Sequence, residues 1–256
     1  MSAALDFSGR TAIVTGATKG LGRAYAHWLA AHGCAVVVSN RKAPDGSSSA
    51  RTVSEEIVAA GGRAVAHDGP VQTPEAAEEM VRIAIQHFGT PDIFISNAGV
   101  QAFRDFGSVT LDEMNALLEI NLHGVLVGLK AIWPAMAEAG YGRIVLTGSS
   151  AGLWGQVGSA DYAASKAAMV GMTRTIARGY AAEGILCFAV APGFTVSEMT
   201  TEYLEGRGGA QIVADIPLGR VASTDEIAEV IRWLSVDAPA SATGSIIDAN
   251  GASYVR

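Results

Sequence analysis

The chain has 256 residues, 49% of them apolar, and its formal net charge is −7 at pH 7. This length and composition allow a substantial hydrophobic core and fit a single α/β domain over residues 1–256. The negative charge argues against nucleic acid and anionic membranes as partners. We find no segment long and apolar enough to span a bilayer and no signal peptide in the first ten residues, so we expect a cytoplasmic protein.

Short apolar runs alternate with longer helical stretches along the chain. Runs rich in β-branched residues and bounded by glycine or polar residues are typical of buried strands. Their alternation with helices predicts a parallel sheet that is covered by helices on both faces. Strands are predicted at 10–15, 35–40, 92–96, 143–147, 185–190 and 244–249.

The first predicted strand is followed directly by the glycine-rich segment Gly16–Gly22 and then by a helix predicted over 23–32. Strand, glycine turn and helix in this order are typical of a dinucleotide-binding loop. Gly16 takes the turn, Gly20 lets the backbone approach a pyrophosphate, and Gly22 lets the helix lie close to the strand. The free N–H groups and the dipole at the helix N-terminus favour phosphate groups. The segment therefore predicts a nucleotide site.

A second motif places Tyr162 four residues before Lys166 in an alanine-rich segment, which predicts a helix over 161–182. Residues four apart lie on the same face of a helix, so the phenol and the ammonium can meet. A phenol titrates near about 10, and a cation at about 4 Å supplies roughly the free energy that brings this pKa toward neutrality. The pair therefore predicts a group that donates and accepts protons.

Together these motifs resemble the short-chain dehydrogenase/reductase family, in its compact single-domain branch, over almost the whole chain. The resemblance implies a Rossmann-type, doubly wound sheet of seven mostly parallel strands with helices on both faces. It also implies an enzyme that transfers a hydride between a nicotinamide cofactor and a ketone or secondary alcohol. The motifs that carry it are Thr15–Gly22, Ser96–Gly99, Asn121, Ser149, Tyr162 with Lys166, Pro192-Gly193 and Pro217–Arg220.

The resemblance implies roles for Tyr162, Lys166 and Asn121. Tyr162 is the general acid and base, while Lys166 lowers the pKa of that phenol and binds the nicotinamide ribose. Asn121 lies inside a long helix predicted over about 111–136, where asparagine is an unfavourable residue. Its implied role is to hold a water that links Lys166 to solvent.

The resemblance also implies a serine that orients the substrate carbonyl, and two neighbours compete for this place. Ser149 is favoured, because Gly152 follows it three residues later and the tyrosine thirteen residues later. In a continued strand Ser150 would point to the opposite side of the sheet. Ser149 is therefore the fourth predicted catalytic residue.

The remaining motifs are expected to surround the pyrophosphate, adenosine and nicotinamide parts of the cofactor. Pro192-Gly193 is expected to line the nicotinamide, and the backbone of Thr195 to hold its carboxamide. The predicted cofactor-binding residues are Gly16, Thr18, Lys19, Gly20, Leu21, Gly22, Asn40, Arg41, Asn97, Ala98, Gly99, Tyr162, Lys166, Pro192, Gly193, Thr195 and Ser197.

The end of the second predicted strand indicates which nicotinamide cofactor is used. It carries neutral Asn40, followed by Arg41 and Lys42, where an NAD enzyme of this fold usually has an acidic residue. Lys19 can approach the same place from the glycine loop. Two cations, Arg41 and Lys19, would attract the 2′-phosphate of the cofactor, which favours NADP(H) over NAD(H). An NAD-dependent secondary-alcohol dehydrogenase is the alternative.

The substrate is expected beside the nicotinamide, under a small lid around 197–215. No arginine or lysine is positioned there as an obvious clamp for an anion, with Arg104 as the sole candidate. An apolar or aromatic ketone, or its alcohol, is therefore favoured. The predicted substrate residues are Gln101, Phe103, Leu153, Trp154, Val157, Phe194 and Tyr203.

Other interpretations are less favoured. A non-catalytic nucleotide-binding protein would not need the tyrosine, lysine and serine, and an epimerase or dehydratase of the extended branch needs a further C-terminal domain. Cys34 and Cys187 are predicted as buried free thiols, and the histidines show no metal-ligand spacing, so no metal site is expected. The resemblance implies a homotetramer that pairs through its two long helices and its last strand.

Overall fold

A computed structural model of the chain describes residues 7–206 and 208–255, without the side chains of residues 198, 199, 202 and 203. Its centre is a seven-stranded sheet in the order β3-β2-β1-β4-β5-β6-β7, with parallel pairing throughout. The Rossmann-type prediction is confirmed. The strands are β1 (Thr11–Thr15), β2 (Ala35–Asn40), β3 (Arg63–Asp68), β4 (Ile93–Ser96), β5 (Gly142–Thr147), β6 (Ile185–Pro192) and β7 (Ile246–Ala249).

Helices connect the strands, and a π-helical segment, Glu119–His123, lies between the fourth and fifth α-helices. A second π-helical segment, Trp233–Asp237, follows the tenth α-helix. The α-helices are α1 (Gly20–Ala31), α2 (Ser49–Ala59), α3 (Pro74–Phe88), α4 (Leu111–Leu118), α5 (Gly124–Ala139), α6 (Ala151–Trp154), α7 (Ala160–Tyr180), α8 (Glu198–Glu205), α9 (Gly209–Ala214) and α10 (Thr224–Arg232).

The sheet separates two apolar cores, because successive side chains of a strand point to opposite faces. In β2, Val36 and Val38 pack with α1, α2 and α10, whereas Val37 packs on the other face with α3, α5 and α7. The inner strands are buried on both faces, which explains why their sequences are mostly apolar rather than alternating. The structure therefore has the alternation of buried strands and covering helices that the sequence predicts.

The strand order reverses between β1 and β4, which are neighbours in the sheet although two strands intervene in sequence. The connections that leave these strands run to opposite faces and open a crevice at their carboxyl ends. In sheets of this kind, ligands bind in that crevice. The glycine-rich loop after β1 and the segment after β4 both lie there.

The helical run Leu111–Ala139 has 29 residues and a mean hydropathy of 1.3 in its most apolar window, which satisfies the length and composition of a membrane span. The expectation that no segment does so is wrong in these terms. In the structure Val125, Leu129, Ile132 and Met136 of this run are buried against the sheet. A core helix passes the same test, so composition alone is weak support for a membrane span.

The two cysteines are buried free thiols, as predicted. Cys34 belongs to the core on the α1 side and Cys187 to the core on the α7 side, so the sheet lies between them. Burial raises the pKa of each thiol to about 12. Within residues 7–206 and 208–255, no three His, Cys, Asp or Glu side chains are grouped to hold a metal ion.

Candidate active site

Helix α7 carries Tyr162 and Lys166 on the side that faces the end of β5. The Lys166 side chain is buried, and its Nζ donates a hydrogen bond of 2.8 Å to the carbonyl of Thr147. The same Nζ lies 5.7 Å from the centre of the Tyr162 ring. Helix α6 crosses close above, since a Cβ on Gly152 would lie 2.5 Å from the carbonyl carbon of Lys166. The structure therefore brings the phenol and the ammonium together.

Burial controls the titration of this pair. It lowers the pKa of the Lys166 ammonium to about 8. It also raises the pKa of the Tyr162 phenol, and the neighbouring Ser149 hydroxyl acts in the opposite direction. The predicted net lowering of the Tyr162 pKa by Lys166 is wrong: the net shift is upward, because burial disfavours the charged phenolate. At neutral pH the phenol is therefore protonated, the form that donates a proton.

The two serines after β5 have different environments. The chain turns at Ser150 into α6 instead of continuing as a strand, so the alternation that the sequence analysis used to separate them does not apply. Ser150 is buried, and its N–H donates to the Pro192 carbonyl at 2.9 Å. Ser149 is half-buried, accepts from the N–H of Ala151 at 3.2 Å and lies beside the Tyr162 hydroxyl.

Asn121 is fully buried in the π-helical segment, which interrupts the long helix predicted there. Its Oδ1 accepts from the N–H of Val100 at 2.8 Å, and its Nδ2 donates to the Val100 carbonyl at 2.8 Å and to Ser165 Oγ at 3.2 Å. These bonds tie the segment after β4 to α7, one residue before Lys166. π-Helical segments are frequent at functional sites. Contacts with Val100 and Ser165 therefore occupy the polar atoms of the Asn121 side chain.

The glycine loop has the shape that a pyrophosphate needs. Gly16 and Gly20 have φ of 62° and 47°, in the left-handed region that favours glycine. A Cβ on Gly22 would lie 2.2 Å from the Gly16 carbonyl oxygen, so only glycine fits this contact. Helix α1 begins with Lys19 as its N-cap, without a side-chain cap. Its first N–H groups and dipole therefore fit a phosphate. Leu21 lies half-buried in the first turn.

The segment after β4 contacts both the glycine loop and the lysine. Nδ2 of Asn97 donates to the carbonyls of Thr15 and Gly16, each at 3.2 Å. The Thr15 hydroxyl accepts from the N–H groups of Asn97 and Ala98 at 3.0 and 3.1 Å. A Cβ on Gly99 would lie 3.5 Å from the Nζ of Lys166. Asn97 therefore holds the loop in place, a role that sequence reasoning did not assign to it.

The end of β2 reaches the glycine loop through one amide. Nδ2 of Asn40 donates to Thr18 Oγ1 at 2.7 Å and to Ser49 Oγ at 3.1 Å. Arg41 follows Asn40 in the chain and Lys19 follows Thr18, and both cations are exposed. On the neighbouring strand, Asp68 is the register partner of Asn40.

The segment after β6 closes the crevice from the other side. The Gly193 N–H donates to the Ala249 carbonyl at 3.1 Å, just after Pro192 ends β6. Thr195 is buried and forms a β-bridge with Ala222. Ser197 reaches the glycine loop, since its Cβ would lie 3.2 Å from a Cβ on Gly20.

The predicted substrate residues lie mostly at the open side of this crevice. Phe103, Trp154 and Val157 are exposed, whereas Gln101, Leu153 and Phe194 are half-buried. The Trp154 ring lies 6.2 Å from the ring of Tyr254, a residue near the C-terminus that sequence reasoning missed. The side chain of Tyr203 lies outside the described part of the chain.

Arg104, the candidate anion clamp, has partners within the protein. Its guanidinium pairs with Glu113 at 3.0 Å and with Asp161 at 3.6 Å. Asp161 also accepts the N–H of Tyr162 at 2.9 Å. The arginine thereby ties the segment after β4 to the start of α7, and its charge is already compensated.

Comparisons with known proteins agree with this arrangement. The family model described as short chain dehydrogenase matches residues 10–208. The chain belongs to this family. The 3-oxoacyl-acyl-carrier-protein reductase of Synechocystis sp. is 35% identical over 94% of this chain and 96% of its own length. The corresponding reductase FabG of Escherichia coli is 35% identical over 98% of this chain and its own full length.

Solved structures of the family have the same fold. A candidate NAD(P)-dependent gluconate 5-dehydrogenase from Beutenbergia cavernae, with NADP bound at low occupancy, matches with a TM-score of 0.89 and 32% identity over 97% of this chain and 98% of its own. A dehydrogenase/reductase from Sinorhizobium meliloti matches with a TM-score of 0.88 and 29% identity over 98% of each chain. The chain is therefore an NAD(P)-dependent oxidoreductase that acts on keto or alcohol groups.

Proposed function

We propose that this enzyme reduces apolar or aromatic ketones with NADPH. The observation that carries the proposal is the proximity of three groups at the end of β5: the protonated Tyr162 phenol, the Ser149 hydroxyl beside it and the buried Lys166 ammonium. A bound nicotinamide cofactor supplies the hydride to the carbonyl carbon. The protein then has to supply a proton to the carbonyl oxygen.

Tyr162 is the proton donor in this proposal. Its hydroxyl proton goes to the oxygen as negative charge develops there, and the Ser149 hydroxyl donates a hydrogen bond to the same oxygen. The charge left on the phenolate is stabilised by the Lys166 ammonium, which the Thr147 carbonyl holds in position. The Asn121 side chain holds α7 against the segment after β4. In alcohol oxidation the proton moves the opposite way, from the alcohol to the Tyr162 phenolate.

The residues of the cofactor site favour NADPH. The glycine loop and the N-terminus of α1 would hold the pyrophosphate, and Arg41 and Lys19 would flank a 2′-phosphate beside Asn40. The solved relative that carries NADP supports this choice. An NAD-dependent secondary-alcohol dehydrogenase is the alternative, in which Asn40 binds an unphosphorylated ribose.

The residues at the mouth of the crevice favour an apolar or aromatic substrate. Exposed Phe103, Trp154 and Val157 supply apolar surface, and Arg104 is already paired. Helices α8 and α9 lie within the predicted lid at 197–215, and we propose that they close over the substrate. The names of the curated relatives favour a second candidate, a 3-oxoacyl thioester, which also presents a ketone.

The test is turnover of a ketone panel by the pure protein, followed by loss of NADPH absorbance. The panel contains benzylacetone, methyl ethyl ketone and acetoacetyl-coenzyme A, each assayed also with NADH. Reduction of a simple ketone supports the proposal, whereas reduction of the thioester alone favours the second candidate. Absence of turnover on the whole panel with both cofactors contradicts the proposed function.

A further inference from the structure

The C-terminal turn, which we define as Asn250–Tyr254, joins separate parts of the candidate site. It starts beside the segment after β6, since a Cβ on Gly193 would lie 2.9 Å from the Asn250 Cα. The Gly251 carbonyl accepts the N–H of Leu218, just beyond α9, at 3.2 Å. At its other end Tyr254 reaches Trp154 at the end of α6. The turn thus contacts the segment after β6, the chain just beyond the lid and the mouth of the crevice.

The backbone of the turn is held in an unfavourable conformation at Ala252. Gly251 and Ala252 have φ of 64° and 66°, and Ala252 is the only non-glycine residue with positive φ in the described part of the chain. An alanine stays in this region only where its surroundings fix it, and such residues cluster at functional sites. The Asn250 amide fixes the turn by donating to the Tyr254 carbonyl at 3.1 Å, and the Ser253 N–H donates to the Asn250 carbonyl at 3.2 Å.

The consequence of this turn is the position of the Tyr254 ring. Its centre lies 6.2 Å from that of Trp154, with 33° between the ring planes. This separation is within the range of interacting aromatic pairs. The indole remains 57% exposed in spite of the contact, so it retains apolar surface for a further group.

We propose that Tyr254 and Trp154 form an aromatic subsite that takes the planar apolar part of the ketone, and that Tyr254 is a specificity-determining residue. The inference rests on the proposed function and adds to it the place where the substituent binds. The carbonyl lies beside Tyr162, while the substituent extends toward the C-terminal turn. Two rings on one wall favour a flat, polarisable group over a short alkyl group.

The experiment compares two methyl ketones that differ by a phenyl group, benzylacetone and methyl ethyl ketone. In Tyr254→Ala we expect KM for benzylacetone to rise about three- to tenfold with little change in kcat, and KM for methyl ethyl ketone to stay as in wild type. Tyr254→Phe keeps the ring and should restore the wild-type KM. Val255→Ala is the matched control, because Val255 is the next residue and is 76% exposed.

Trp154→Ala should have the same selective effect, and the double variant should raise KM by less than the product of the two single effects. Equal effects on both ketones, or no effect of Tyr254→Ala on benzylacetone, would overturn the subsite while leaving the proposed function intact. A wild type that reduces neither ketone would instead overturn the proposed function. Thermal unfolding and NADPH affinity check each variant, and Tyr254→Leu replaces the alanine variant if that protein does not fold.

Discussion

The Nζ of Lys166 donates a hydrogen bond of 2.8 Å to the carbonyl oxygen of Thr147, the last residue of β5. The acceptor is main chain and belongs to an inner strand of the sheet, so the lysine has the same anchor whatever side chain stands at position 147. The bond leaves the ammonium beside the Tyr162 ring but removed from solvent. The position of the Lys166 ammonium therefore depends on the sheet rather than on surface loops.

Replacement of Tyr162 by phenylalanine should remove turnover and leave cofactor binding intact. The change deletes only the hydroxyl that donates the proton, whereas the pyrophosphate site lies in the glycine loop. We expect kcat to fall by about a hundredfold or more, with an NADPH dissociation constant close to that of wild type. Steady-state kinetics and fluorescence titration measure both values. Retention of more than a few per cent of activity, or loss of NADPH binding, would contradict the assignment.

The two serines should differ strongly. Ser149→Ala removes the hydroxyl beside the Tyr162 phenol and should lower kcat by about a hundredfold. Ser150→Ala is the matched control, because that residue is buried at the start of α6. We expect its kcat to stay within a few-fold of wild type. A larger effect at Ser150 than at Ser149 would show that the wrong serine was chosen.

The pH dependence should have opposite signs in the two directions. Ketone reduction needs the Tyr162 proton and the Lys166 charge, and that charge is lost as the pH rises through the lysine pKa of about 8. We therefore expect kcat/KM for reduction to be constant below that pH and to decline above it, and alcohol oxidation to increase with pH. The apparent pKa values belong to the coupled pair. In Lys166→Arg, which stays charged, the decline should move to higher pH; a decline at the same pH would assign it to another group.

The cofactor preference should depend on the end of β2. Wild type should favour NADPH over NADH by at least about tenfold in kcat/KM, because Arg41 and Lys19 attract the 2′-phosphate and β2 ends in a neutral asparagine rather than an acidic residue. The double variant Asn40→Asp, Arg41→Leu should lose most of this preference, since it adds a repulsive charge and removes an attractive one. Wild-type preference for NADH would contradict this reading while leaving the reaction class unchanged.

The assembly is predicted to be a homotetramer. Helix α7 leaves Ala167 and Gly171 exposed on its outer face, where small residues let another helix approach closely. Leu126 is 47% exposed on α5 and offers apolar surface for a second contact. Light scattering at micromolar concentration should give four times the mass of 26.3 kDa. A monomer under these conditions would contradict the prediction.

Much of the fold was predictable because local pattern and tertiary position agree. The strand at 35–40 was predicted with its observed bounds, since its apolar residues are buried on both faces between β1 and β3. The Tyr162–Lys166 contact follows from helical spacing alone. In such places the sequence period determines which groups meet.

Other features depended on contacts that a one-dimensional pattern does not contain. Asparagine was recognised as unusual at position 121, but the π-helical turn around it depends on contacts with Val100 and Ser165, from distant parts of the chain. The upward shift of the Tyr162 pKa follows from burial, which spacing does not report. Tyr254 escaped notice because the left-handed backbone at Gly251 and Ala252, which brings the ring to Trp154, is not evident from the sequence.

The π-helical segment Glu119–His123 has a further consequence for how this chain tolerates changes in length. A π turn holds one more residue than an α turn between the same two helical ends, so it absorbs a single extra residue within an otherwise regular helix. Deletion of one residue from 119–123 would let the run close as a continuous α-helix and would turn the Asn121 amide by about 100° away from Val100 and Ser165. Substitutions elsewhere on this run alter packing, whereas a change in the number of residues alters the direction in which the Asn121 side chain points.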